Sequence, residues 1–219
     1  MRESNPLVPA RERRLPPRLL TRPLGALVNA LYRVRTRGLE ENVPTDGAAV
    51  LVCNHVSYVD ALILGASLHR PVRFVVHRSV YRLPLLGLAF RAARAIPIAG
   101  RGEDAAMYER AFATMRSALE ADELVCLFPE GSITRSGEIE PFRPGLLRLL
   151  ETHPVPVVPM ALSGLWGSRF SRASGQALPG PPRRGFAPVE LAAGEPLSPE
   201  GLSLETLRGH VATLRGERR

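Results

Sequence analysis

The chain has 219 residues, 45% of them hydrophobic and 5% aromatic, which excludes a disordered or fibrous class and leaves Leu, Val and Ala to build the core of one domain. Its formal net charge is +8, and nearly all of it lies at one end, where residues 1–37 carry nine arginines against Glu3 and Glu12. No apolar run reaches the roughly 18 residues of a membrane-spanning helix.

The basic end points to an anionic partner, either a membrane surface or nucleic acid. All 29 basic residues are Arg, a sign of composition bias, so Arg in place of Lys carries little meaning at any one site. Residues 1–18 are rich in Pro and Arg. Beyond Pro23, Leu24, Leu27, Val28, Leu31 and Val34 recur at helical spacing. With Arg22, Arg33, Arg35 and Arg37 around it, this stripe predicts a basic amphipathic helix. Such a helix either lies at a lipid interface or packs on the domain. No continuous apolar stretch follows the first charges, as a secretory leader requires. The expected organisation is an arm and interfacial helix over 1–36 and a domain over 37–219.

Strands and helices then alternate. Strands are expected at Ala48–Cys53, Val72–Val76, Ala95–Ile98, Leu124–Phe128, Val155–Ala161 and Val189–Ala192. Helices are expected at Asp60–Leu68, Leu83–Ala93, Asp104–Glu120, Leu146–Leu150 and Leu204–Leu214. This rhythm predicts an α/β fold with a mostly parallel sheet flanked by helices. Residues 163–187, rich in Gly, Ser, Pro and Arg, read as a long surface loop whose Trp166 and Phe170 either dip into lipid or fill a crevice. Cys53 and Cys126 lie in apolar runs without a CxxC partner. They read as buried thiols in a reducing compartment, with no zinc site.

Chemistry in a parallel sheet collects at the carboxyl ends of strands. Two constellations stand there. Asn54-His55-Val56-Ser57-Tyr58-Val59-Asp60 follows the first strand. On one helix His55 and Asp60 would diverge by about 140°, so they meet only with His55 in the loop and Asp60 in the first helical turn. Ser57 as N-cap and Asp60 at the third helical position give capping-box form. Asp60 would then fix the tautomer of His55 and leave the other ring nitrogen free as a base. The alternative is a helix cap beside an ordinary loop histidine. Phe128-Pro129-Glu130-Gly131 follows a later strand, and its loop opens on the same edge. Gly131 allows close approach to backbone. Ser132, Thr134 and Arg135 offer donors to phosphate oxygens, although Pro-Glu-Gly is also a common turn.

Together NH-x4-D and FPEG, with Ala95–Ile98 before Arg101 and the strand Val155-Pro156-Val157-Val158-Pro159, resemble the glycerolipid acyltransferase family over roughly residues 35–195. That family includes 1-acylglycerol-3-phosphate and lysophospholipid acyltransferases. The stretches Arg94–Ile98, FPEGSITRSGEI and VPVVPMALSGLWGS are most similar to acyltransferase domains that some bacteria fuse to lysophospholipid transporters. The resemblance implies a glycerol-3-phosphate acyltransferase-like fold, with His55 as base and Asp60 as its partner. It implies Glu130, Gly131, Ser132, Thr134, Arg135 and Arg101 at the acceptor, with Asn54, Ser57, Pro129 and Pro159 in support. No cofactor is implied beyond acyl-CoA or acyl carrier protein as co-substrate. The implied partners are a lysophospholipid acceptor, an anionic membrane surface and a lysophospholipid transporter, with no nucleic acid. The implied location is peripheral, on the cytoplasmic face of a bacterial cell membrane.

Two positions depart from the family pattern. Ile133 and Gly100 stand where family members carry Arg, which favours a phosphodiester acceptor over a phosphomonoester. Seven arginines between residues 61 and 102, with no acid among them, form either a phosphate clamp or a rim facing anionic lipid. Two competing functions are a hydrolase using Ser57, which lacks a G-x-S-x-G elbow, and a non-enzymatic membrane-surface binding module.

Overall fold

A computed structural model describes residues 32–81, 87, 90–168, 170–173 and 188–217. Their strands form a seven-stranded sheet in the order β1-β7-β6-β2-β5-β3-β4. The strands are β1 (Arg33–Arg37), β2 (Ala49–Cys53), β3 (Val72–His77), β4 (Ile96–Ile98), β5 (Leu124–Leu127), β6 (Val157–Ser163) and β7 (Pro188–Ala193). Neighbours run parallel except β6 and β7, which are antiparallel. The expected mostly parallel α/β sheet is therefore present.

β2 reads AVLVC and β6 reads VVPMALS, and every residue of both is buried. A strand covered on both faces has no polar side to alternate, which explains these unbroken apolar runs. Successive side chains go to opposite faces. Ala49, Leu51 and Cys53 enter one core and Val50 and Val52 the other. Helix α2 (Asp60–Ser67) covers the first face through Ile63 and Leu64. The second face is covered by α4 (Ala105–Glu120), α5 (Gly145–Thr152) and α6 (Leu204–Arg215). Asp104 caps α4 by accepting from Met107 N–H at 2.9 Å, and Ser203 caps α6 through Thr206 N–H at 3.0 Å. Each such cap is worth about 1 kcal/mol.

Two short helices, α1 (Leu39–Asn42) and α3 (Arg78–Tyr81), escape the sequence pattern, as does β1. β1 corrects the expected helix over Leu24–Val34 at its end. Arg33 and Val34 are strand residues, paired with Pro188 and Val189. The sheet thus takes in residues that the sequence reading gives to the arm. Most of that arm and most of the Leu83–Ala93 helix lie outside the described residues.

The strand order places the site. β5 lies beside β2. The chain leaves β2 for α2 on one face, and leaves β5 for α5 on the other. Adjacent strands whose connections part to opposite faces open a crevice at their carboxyl ends. Both motifs sit there.

Candidate active site

Asn54 leaves β2 without leaving the ladder. Its Nδ2 donates to Leu162 O at 3.0 Å and its Oδ1 accepts from Leu162 N–H at 2.8 Å. The side-chain amide imitates one more peptide unit of β2 against β6. The backbone is thereby released into a loop at His55 while the edge of the sheet stays paired.

Asp60, fully buried, organises that loop with one oxygen. Oδ2 accepts from Val56 N–H at 2.7 Å and Ser57 N–H at 2.9 Å, and stands 2.8 Å from His55 Nδ1. A carboxylate oxygen that already takes two amide protons is an acceptor, so Nδ1 carries the hydrogen and donates it. Nε2 keeps its lone pair, and no described residue bonds to it. The imidazole is 21% exposed. It lies on the ring of Phe128, 4.3 Å between centroids and 20° between planes. The remaining Asp60 oxygen, Oδ1, has no hydrogen-bond partner among the described residues. Burial, with Asp60 nearby, pushes the Tyr32 hydroxyl up to about 12.

The capping box differs from expectation. α2 starts at Asp60 after Val59, with no side-chain cap. Ser57 Oγ accepts from Val59 N–H at 3.3 Å. Ser57 is buried with its hydroxyl turned to that amide, and not to His55, so it is not placed as a nucleophile. This removes the geometry that a Ser57 hydrolase needs.

The second motif clamps the first. Glu130 Oε1 accepts from His55 N–H at 2.7 Å, and Oε2 accepts from Glu140 N–H at 2.9 Å. Thr134 N–H donates to His55 O at 2.9 Å. Both backbone polar groups of His55 are thus held by the loop after β5. Glu130 is only 4% exposed and both its oxygens are taken, which makes it a tether between loops and not a group open to an acceptor. Burial pushes its carboxyl up to about 7, while the Glu140 and His55 amides pull the other way.

The other expected residues divide. Thr134 is buried, and its Oγ1 accepts from Gly137 N–H at 3.1 Å and Ser136 N–H at 3.3 Å, so it shapes the turn and is not open to a phosphate. Pro129 O accepts from Arg143 N–H. Ser132 and Arg135 are exposed on the loop beside His55. Arg101 follows β4, three strands from β2 in the sheet, and is exposed. Pro159 faces the opposite core and lines a groove of about 380 Å³ with Gly194, Thr206, His210 and Leu214, so it supports β6 from the α6 side.

Four of the arginines of residues 61–102 are bound to groups of the protein itself. Arg70 donates to the carbonyls of Pro44, Gly47 and Asp122. Arg73 and Arg94 pair with Glu123, and Arg78 with Glu103 and Asp104. Arg91 lies over the Tyr81 ring, 5.5 Å from its centroid.

Sequence reasoning missed the packing behind the site. Residues 164–168 and 170–173 are not free surface loop. Ser171 bridges to Ser57, Phe170 O accepts from Tyr58 N–H at 3.1 Å, and Arg172 reaches the Tyr58 hydroxyl at 3.1 Å. Trp166 packs against the core and underlies Gly137, where a Cβ would come within 2.8 Å of its ring. Trp166 and Phe170 therefore fill a crevice. Residues 174–187 lie outside the described residues. Among the described residues no cluster of three His, Cys, Asp or Glu side chains could hold a metal ion. No helix there is long and apolar enough to cross a membrane.

A sequence profile of the family described as Acyltransferase matches residues 33–163. The chloroplastic 1-acyl-sn-glycerol-3-phosphate acyltransferase of Brassica napus is 27% identical over 133 residues, covering 61% of this chain and 38% of that one. The 1-acyl-sn-glycerol-3-phosphate acyltransferase of Bacillus subtilis is 25% identical over 126 residues, covering 57% of this chain and 60% of that one. This chain therefore spans less than two thirds of the length of either relative. The crystal structure of the 1-acyl-sn-glycerophosphate acyltransferase PlsC from Thermotoga maritima is similar in fold, with a TM-score of 0.68 at 21% identity over 92% of this chain and 78% of that one.

Proposed function

This chain belongs to the Acyltransferase family, and from that membership we propose that it moves a fatty acyl group from a thioester, acyl-CoA or acyl carrier protein, to the free hydroxyl of 1-acylglycerol-3-phosphate or a lysophospholipid. One observation carries the reading. His55 has Nδ1 fixed by a buried carboxylate at 2.8 Å, while its ring is 21% exposed and its other nitrogen bonds to no described residue. That is a base prepared for a hydroxyl proton.

The step follows from the geometry. The acceptor hydroxyl gives its proton to His55 Nε2 as its oxygen attacks the thioester carbonyl carbon. The imidazolium that forms is stabilised by Asp60. The C–S bond breaks, and the leaving thiolate takes the proton back from Nε2, so His55 is restored. No enzyme nucleophile takes part, in keeping with the turned-away hydroxyl of Ser57.

The proposed place of action is an anionic membrane surface. The arginines of residues 1–37 supply the attraction, apart from Arg37, which pairs with Glu190, and each basic side chain near the surface is worth roughly 1 kcal/mol. Remodelling of lysophospholipids delivered by a transporter is one setting that would use this activity.

The test is direct. The purified protein is given labelled acyl-CoA or acyl carrier protein with a panel of lysolipids, and the lipid products are separated. Diacyl product from wild type and none from His55→Ala supports the reading. Binding to anionic vesicles without any acyl transfer would leave only a membrane-binding module.

A further inference from the structure

The turn at Pro129–Gly131 bears a guanidinium that comes from outside it. Gly131 has φ +72°, and a Cβ there would stand 2.6 Å from Nε and 2.7 Å from Cζ of Arg143. The Arg143 side chain occupies the space where any other residue at 131 would put its own. The Arg143 backbone is fixed to the same turn, its N–H donating to Pro129 O at 2.9 Å. Glu130, between those two anchor residues, holds the His55 amide at 2.7 Å. The guanidinium is therefore seated on the loop that holds the backbone of His55.

Its charge is unspent. The arginines tied to Glu123, Glu103, Asp104, Glu109 and Glu138 all have carboxylate partners. Among the described residues none pairs with Arg143. Glu130 gives both oxygens to backbone amides, and Glu140 Oε1 accepts from Ser136. Ile133, at the position where the family pattern expects a cation, is 6% exposed and turned into the protein. An exposed guanidinium over a glycine is open to a planar, two-pronged contact with phosphate oxygens. A glycerol backbone is short, so a cation for its phosphate must sit on a loop adjoining the base.

We propose that Arg143, laid across Gly131, receives the phosphate of the acceptor and takes the place that Ile133 vacates. The inference rests on the acyl-transfer reading above. It assigns the contact to a residue eight positions beyond Arg135, which the sequence pattern had favoured.

The test measures acyl transfer to 1-acylglycerol-3-phosphate, varying acceptor and donor separately, and equilibrium binding of the same lipid in detergent micelles. Arg143→Ala should raise the acceptor KM and weaken binding about tenfold or more, with kcat and donor KM within threefold of wild type. Arg143→Lys should recover part of the loss, because it restores charge without the fork. An unchanged acceptor KM and binding in Arg143→Ala, or the same loss from Arg135→Ala alone, overturns the assignment. Wild type that gives no diacyl product refutes the acyl-transfer reading, and the binding arm still decides Arg143.

Discussion

The backbone of His55 is held at both ends by the loop that follows β5: Glu130 accepts its N–H at 2.7 Å, and Thr134 donates to its carbonyl at 2.9 Å. The ring is held separately, by Asp60 at Nδ1 and by Phe128 on its face. Four contacts from two segments thus leave only Nε2 without a partner among the described residues. Such pre-set geometry is what a general base needs, since small misplacements cost large factors in rate.

His55→Ala should reduce kcat by roughly 10³-fold or more with little change in thermal stability, because a partly exposed loop ring lies outside the apolar core. Asp60→Asn should cost about 10²-fold or more in kcat, since the imidazolium loses its countercharge. Steady-state kinetics beside thermal denaturation check both. Full activity in Asp60→Asn would remove the pair from the mechanism.

Phe128→Leu keeps apolar bulk but removes the flat surface beneath His55. It should lower kcat about tenfold while leaving both KM values near wild type, because the ring is free to tilt and binding contacts persist. A rise in KM with kcat unchanged would place Phe128 at substrate instead.

Glu130 gives a pH signature. Its ordinary value of 4.5 rises to about 7 in the fold. Between those values the folded state binds more protons than the unfolded chain, so this carboxyl makes stability fall as pH rises through that window. Glu130→Gln cannot titrate and should flatten that part of the profile. It also sets an amide N–H against a backbone N–H, at a cost of about 1–3 kcal/mol. Denaturant unfolding at pH 5 and pH 8 measures both effects. An identical pH slope in the variant would show that the carboxyl does not titrate there.

Gly137→Ala should destabilise by about 1–3 kcal/mol. Its φ is +82°, and the added methyl would come within 2.8 Å of Trp166. Trp166 is the sole tryptophan, so its fluorescence reports this contact without interference. A shifted emission spectrum with a lowered Tm is expected. An unaltered spectrum would mean that the ring does not depend on residue 137.

Asn54→Asp replaces the amide that donates to Leu162 O with an oxygen facing an oxygen. With the side chain buried, the loss should be about 3 kcal/mol or more, seen as a lower Tm. Asn54→Ala should cost less, because it removes partners without adding a buried charge.

The local reading placed β2, β3, β5 and α4 within a residue or two, because fully buried strands and a long amphipathic helix imprint their period on the chain. It also placed both motifs at strand ends and joined His55 to Asp60, since five residues across a loop-to-helix junction leave few other arrangements. Tertiary structure decided the rest. β1 carries the pattern RVRTR, and only its pairing with β7 makes it a strand. The roles of Glu130, Phe128 and Arg143 depend on which strand lies beside β2, a matter of crossover order that no local period records. Ser57 meets Ser171, and Asn54 meets Leu162, across more than a hundred residues. Periodicity is a property of neighbours along the chain. The partners of a buried polar group are set by packing, and that is why the His55–Asp60 pair was legible early and the Glu130 and Phe128 contacts were not.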